Sequence, residues 1–107
     1  MAHPVLKQNP TLRDIQDYIA AMVKHRGFDK ETVQDSFILL TEEVGELAKE
    51  IRKLRGVKMA TDSAQLKLEH EAADVLMMLI CVCNGLDIDL EQALRTKEEH
   101  NKTRTWS

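Results

Sequence analysis

A chain of 107 residues and 12.2 kDa has room for one modest core, so a single domain over residues 1–107 is expected. Hydrophobic residues make up 43% and charged residues 31%, with four Gly and two Pro, which excludes a disordered chain and favours helices. A formal net charge of -3 and a pI near 5.8 give no global attraction for a nucleic acid polymer or an anionic membrane, so a polyanionic ligand needs a local cation or a metal.

The first ten residues, MAHPVLKQNP, form an amino-terminal tail without a basic segment leading into an apolar run. No apolar stretch reaches membrane-spanning length, and a cytoplasmic location without a membrane partner is expected. Thr11 then offers an N-cap, with Asp14 near the third helical position, where a carboxylate favours the helix dipole. Leu12, Ile15, Ile19, Met22 and Val23 keep a helical period as far as Lys24 and His25, and Gly27 is the expected stop. A second helix is predicted from around Asp29 to Thr32 through Leu40, Val44, Leu47, Ile51 and Leu54, ending at Gly56. Residues 57–64 read as a loop, and a third helix runs to about Asn84 and Gly85, antiparallel to the second.

That third helix carries AADVLMMLICVC, apolar nearly all round, which a small four-helix protomer cannot bury on every side. A homodimer or homotetramer is therefore expected. Cys81 and Cys83 lie two apart on different helix faces, which suits neither a disulfide nor a zinc pair, and they read as small buried hydrophobes. Asp89 with Gln92 forms a capping box for a fourth helix whose apolar content stops at Leu94. The expected fold class is all-α, a four-helix, bundle-like protomer assembling as a dimer or dimer of dimers.

With Leu40 at zero and about 100° per residue, Val44, Leu47, Ile51 and Leu54 fall within about 40° of an apolar centre line. Glu43 lies about 60° and Glu46 about 120° to one side, while Glu42 points nearly opposite. On the third helix, with Leu68 at zero, Glu71 and Asp74 take the same two offsets on the same side. If the two helices pack along these margins, four carboxylates converge and repel unless a cation neutralises them. All-oxygen ligation suits magnesium, with manganese as a substitute. The alternative is a pair of solvated acidic flanks on a non-catalytic helical oligomerisation module. A di-iron bundle would want Glu-x-x-His motifs, of which there are none, and His70 reads as a polar-face residue. Gly45, Ala72 and Ala73 keep the intervening positions small, as a close helix approach would need.

The stretches LTEEVGELAKEIRK, LEHEAADVLMMLICVCNGLDIDLEQAL and KEEHNKTRTW together resemble the MazG-like nucleotide pyrophosphohydrolases. These belong to an all-α group with dimeric dUTPases and phosphoribosyl-ATP pyrophosphohydrolases. The resemblance covers residues 11–106. It implies magnesium-dependent hydrolysis of a (deoxy)nucleoside triphosphate between its α and β phosphates, to the monophosphate and pyrophosphate, in a role such as nucleotide-pool cleaning. It also implies that Glu43, Glu46, Glu71 and Asp74 are the metal ligands, with Glu46 accepting the proton of the attacking water. Residues 95–107 hold four Lys or Arg against two Glu, a local cation source and a candidate substrate-binding tail. A continued helix would align Lys97, Asn101 and Arg104 on one face toward phosphate oxygens. Trp106 would stack on a base or bury against a neighbouring chain, and Phe28 would either present an aromatic face to the base or act as a staple or core residue.

Overall fold

The computed structural model describes residues 3–54 and 62–105, so the expectations for Gly56 and Trp106 lie outside the described residues. Four helices carry the chain: α1, Leu12–His25; α2, Val33–Arg52; α3, Asp62–Gly85; and α4, Leu90–Thr103. There is no strand among the described residues, and the protein is all-α as the composition predicts. The backbone clusters into two compact units, one of Met1–Lys30 with Cys83–Ser107 and one of Glu31–Val82. No helix among the described residues is long and apolar enough to cross a membrane.

In the first unit, α1 opens with a complete capping box. Thr11 Oγ1 accepts the Asp14 N–H at 3.0 Å, and Asp14 Oδ2 accepts the Thr11 N–H at 3.0 Å. The Thr11 N–H, helped by Lys7 at 3.1 Å, holds the Asp14 carboxyl below the usual carboxylate range. α1 ends in a Schellman motif: the Phe28 N–H reaches Val23 O and the Gly27 N–H reaches Lys24 O, with Gly27 at φ 78. α3 ends at Gly85, where the sequence puts the stop, and closes the same way, with its left-handed position on Asp87 at φ 56. Here the Ile88 N–H bonds Cys83 O and the Asp87 N–H bonds Asn84 O.

α1 packs against α4, and the tie at the start of α4 is a side chain. Gln16, only 2% exposed, donates through Nε2 to Asn84 Oδ1 at 2.9 Å and to Ile88 O at 2.8 Å. Its Oε1 accepts the Leu90 N–H at 2.8 Å, and Asn84 Nδ2 returns a bond to Gln16 O at 3.1 Å. One buried amide thereby satisfies an orphan N–H in the first turn of α4 and joins three parts of the chain. Asp89 caps Gln92 N at 3.1 Å, but the box is half made, because the Gln92 amide turns to Thr96 Oγ1 instead. Ile19, Met22 and Cys83 form the buried apolar side chains of this unit.

In the second unit, α2 starts at a Thr32 and Asp35 capping box equivalent to that of α1. It stops at Arg52, with Lys53 as C-cap, short of Gly56. α2 buries only the acid-side half of its apolar stripe. Leu40, Leu47 and Leu54 are half-buried, as is Glu43, and Glu50 is 7% exposed, whereas Val44 and Ile51, on the stripe's other side, are 48% and 55% exposed. The packed face of α2 is thus rotated toward its acidic flank. Gly45 does not serve a close approach of α2 to α3, since a Cβ there would meet nothing within 4 Å, and Ala72 and Ala73 are exposed.

Candidate metal centre

Two cross-links fix the pairing of α2 with α3. Carboxylate oxygens of Glu43, Glu71 and Asp74 lie within 4.8 Å of one another. Further along, Lys67 of α3 reaches Glu50 of α2 at 3.3 Å. Rising numbers on α2 meet falling numbers on α3, so the helices run antiparallel as predicted. Both helices present these residues from one flank, within about 60° to 120° of their apolar lines, which is why spacings of three, four and seven residues bring the groups into one seam.

The cluster is electrostatically uncomfortable by itself. Burial pushes the Glu43 carboxyl above its ordinary value, and the Asp74 and Glu71 charges, a hydrogen bond with Glu71 and the Glu46 charge add to the rise. All three clustered residues are half-buried. A set of carboxylate oxygens this close, with no cation among the described side chains joined to it, fits a hard divalent ion and gives nothing to a soft one. These three residues would hold it.

Glu46 is not part of that set. It is exposed, with its carboxylate 3.8 Å from Lys49 Nζ on the next turn. Glu42 and His70 are exposed, as their helical angles predict. Phe28 is 56% exposed, so it is not a core residue. In α4 the helix extends well past the last apolar residue, to Thr103, which carries exposed Lys97 and half-buried Asn101 on helical backbone. Arg104 is not on that face: it is the C-cap, at φ -81 and ψ 145, with its N–H on Asn101 O. The helix therefore ends at Thr103, one residue before the alignment would be complete. Asn101 Oδ1 is buried without a hydrogen-bond partner among the described residues.

Sequence reasoning left Glu50 and Lys67 out of the site. The available signal was angular: Glu50 lies about 80° and Lys67 about 100° from the apolar lines, on the same flank as the metal-ligand candidates.

The MazG nucleotide pyrophosphohydrolase domain model matches residues 31–105, and the chain belongs to that family. A relative from Bacillus subtilis (strain 168), the uncharacterized protein YpjD, is 40% identical over 88 residues, covering 78% of this chain and 76% of that protein.

Proposed function

We propose that this protein is a magnesium-dependent nucleoside triphosphate pyrophosphohydrolase, cleaving (d)NTPs between the α and β phosphates to (d)NMP and pyrophosphate. The observation that carries the reading is the set of Glu43, Glu71 and Asp74 oxygens within 4.8 Å of one another, inside the region matched by the family. Magnesium, or manganese in its place, would neutralise these charges and polarise the phosphate oxygens as a Lewis acid. Glu43, Glu71 and Asp74 would orient the ion. Glu46, on the next turn from Glu43 and exposed, is suited to complete the shell or to accept the proton of the attacking water.

Lys97 and Arg104 supply positive charge for phosphate oxygens, and Trp106 and Phe28 supply aromatic faces for the base. The unpartnered Asn101 Oδ1 calls for a hydrogen-bond donor, which a substrate hydroxyl or amino group would provide. The proposed assembly is a homodimer or homotetramer. It is supported by exposed apolar side chains on α2 and α3, among them Phe37, Val44, Ile51, Leu66 and Leu76, in a quantity that suits a protein interface.

Pyrophosphate release from a panel of ordinary and damaged dNTPs, with and without magnesium, tests the reading. Turnover of at least one nucleotide that stops on chelation is expected. No turnover with any nucleotide would overturn it. Light scattering coupled to size exclusion tests the assembly, and a monomer at micromolar concentration would refute that part.

A further inference from the structure

The segment ahead of α1 doubles back along it. Lys7 Nζ meets Asp14 Oδ1 at 3.1 Å, and the His3 ring stands edge-on to the His25 ring, with centroids 4.7 Å apart and planes at 65°. Falling numbers on the segment meet rising numbers on α1, so the two run antiparallel. The reversal is made at Asn9, in the left-handed region at φ 51, and at Pro10. Four residues of extended chain from Lys7 to His3 reach about 13 Å, and eleven residues of helix from Asp14 to His25 rise about 16 Å, a difference that side chains span. Asp14 and His25 lie about 20° apart around α1, and Tyr18 and Ala21 fall within about 40° of Asp14 on either side. Residues 3–8 thus form a strap along one stripe of α1.

Apolar burial does not hold this strap. Val5 is 82% and Leu6 50% exposed, and of residues 3–8 only Pro4 is half-buried. Among the described residues no backbone hydrogen bond ties residues 3–8 to α1, so the strap depends on its two side-chain fixings. These answer acid differently. The Thr11 N–H and Lys7 hold the Asp14 carboxyl below its usual range, so that fixing stays ionised at about pH 5. Imidazole is the one side chain whose ordinary titration falls between about pH 5 and 8. A neutral or singly charged pair of rings keeps an attractive edge-to-face contact, whereas two imidazolium rings at this distance repel. The surrounding charges do not relieve the repulsion. Lys24 and Arg26 flank His25 on α1, and Lys7 is the strap's own cation. On α4, the helix packed against α1, Glu91 pairs with Arg95 and Glu99 with Lys102. Among the described residues no carboxylate ion-pairs with either ring.

We propose that His3 and His25 form a pH-sensitive clasp that closes the strap on α1 near neutral pH and opens it when both rings are protonated, below about pH 6. Opening swings residues 3–6 about the Lys7 fixing. It bares the α1 stripe containing Tyr18 and Ala21 and frees Val5 and Leu6 to meet another surface.

Nuclear magnetic relaxation of amides in the untagged full chain, at about pH 7.5 and about pH 5, tests the clasp on the parent, His3→Phe and His3→Ala. In the parent the Val5 and Leu6 order parameters should stand near the rigid value of about 0.85 at the higher pH and fall below about 0.6 at the lower. The Leu90 amide, bonded to Gln16 in the same compact unit, should stay rigid at both. His3→Phe keeps a ring edge for His25 and removes one charge, so its strap should stay ordered at both pH values. His3→Ala should be mobile at both. A parent strap equally ordered or equally mobile at the two pH values overturns the clasp. So does acid release of His3→Phe like the parent, an ordered strap in His3→Ala, or loss of Leu90 order together with the strap.

Discussion

Gln16 and Glu43 are both polar side chains held on inward-leaning helix faces, one in each compact unit, and they are treated in opposite ways. Gln16 uses its amide oxygen and nitrogen on Asn84, Ile88 and Leu90, and every bond lies between 2.8 and 3.1 Å. Glu43 meets two other carboxylates, and burial and repulsion both work against its charge. A satisfied polar network specifies a fold, whereas a frustrated one calls for something the chain does not supply. Glu50 shows that the contrast is not simply between neutral and charged groups, because this carboxylate on the same α2 flank is met by two lysines, Lys53 at the end of α2 and Lys67 of α3.

The contrast breaks most visibly if one repelling carboxylate is removed. Glu71→Gln should reduce kcat by about a hundredfold or more, the scale on which loss of an electrostatic catalytic group is felt. The same change should raise the melting temperature of the metal-free protein, because it relieves Glu43. Steady-state kinetics and thermal melting in chelator check the two signs, and a destabilised Glu71→Gln would mean the cluster is not strained. In the other unit the sign reverses. Gln16→Leu should cost about 3 kcal/mol of stability, since it leaves buried donors and acceptors around Asn84, Ile88 and Leu90 unpaired. Urea titration reads that loss, and a cost under about 1 kcal/mol would show the network to be dispensable.

Acid sharpens the comparison within the α2 flank. The ionised Glu50 contributes stability above its ordinary value of 4.5, and the contribution is lost as pH falls through its lower folded value. Glu43, whose folded value is raised, costs stability at neutral pH, and that cost is relieved as pH falls through the raised value. Melting of metal-free protein should therefore be least impaired at mildly acid pH and fall steeply below about 4, with Glu50→Gln flattening the steep limb. The smallest expected effect is local: Thr32→Ala removes the hydroxyl half of the α2 capping box and should cost about 1 kcal/mol.

The helices and their starts were legible because their signals are local. Thr11 with Asp14 caps a helix from nearest-neighbour geometry alone, and the carboxylate spacing on α2 and α3 encodes their shared flank. The face that α2 buries was not legible. Period analysis puts Val44 and Ile51 in the core stripe with Leu40 and Leu47, but the packed face runs through Ser36, Leu40, Glu43, Leu47 and Glu50, because burial depends on which neighbour the helix meets. Gln16 was equally hidden: nothing near it in sequence announces partners 68 and 74 residues away. The reach of α4 to Thr103 was missed by apolar periodicity, since strong helix formers such as Lys97, Glu98 and Glu99 extend it, with Lys102 paired to Glu99 at 3.0 Å.

Titration of the full chain with manganese, followed by electron paramagnetic resonance, addresses directly whether Glu43, Glu71 and Asp74 form a metal centre. The parent should bind the ion, and Glu43→Gln, which removes one ligand charge at near-constant volume, should weaken binding by about tenfold or more while remaining folded. Unchanged manganese affinity in a folded Glu43→Gln protein would contradict the metal centre.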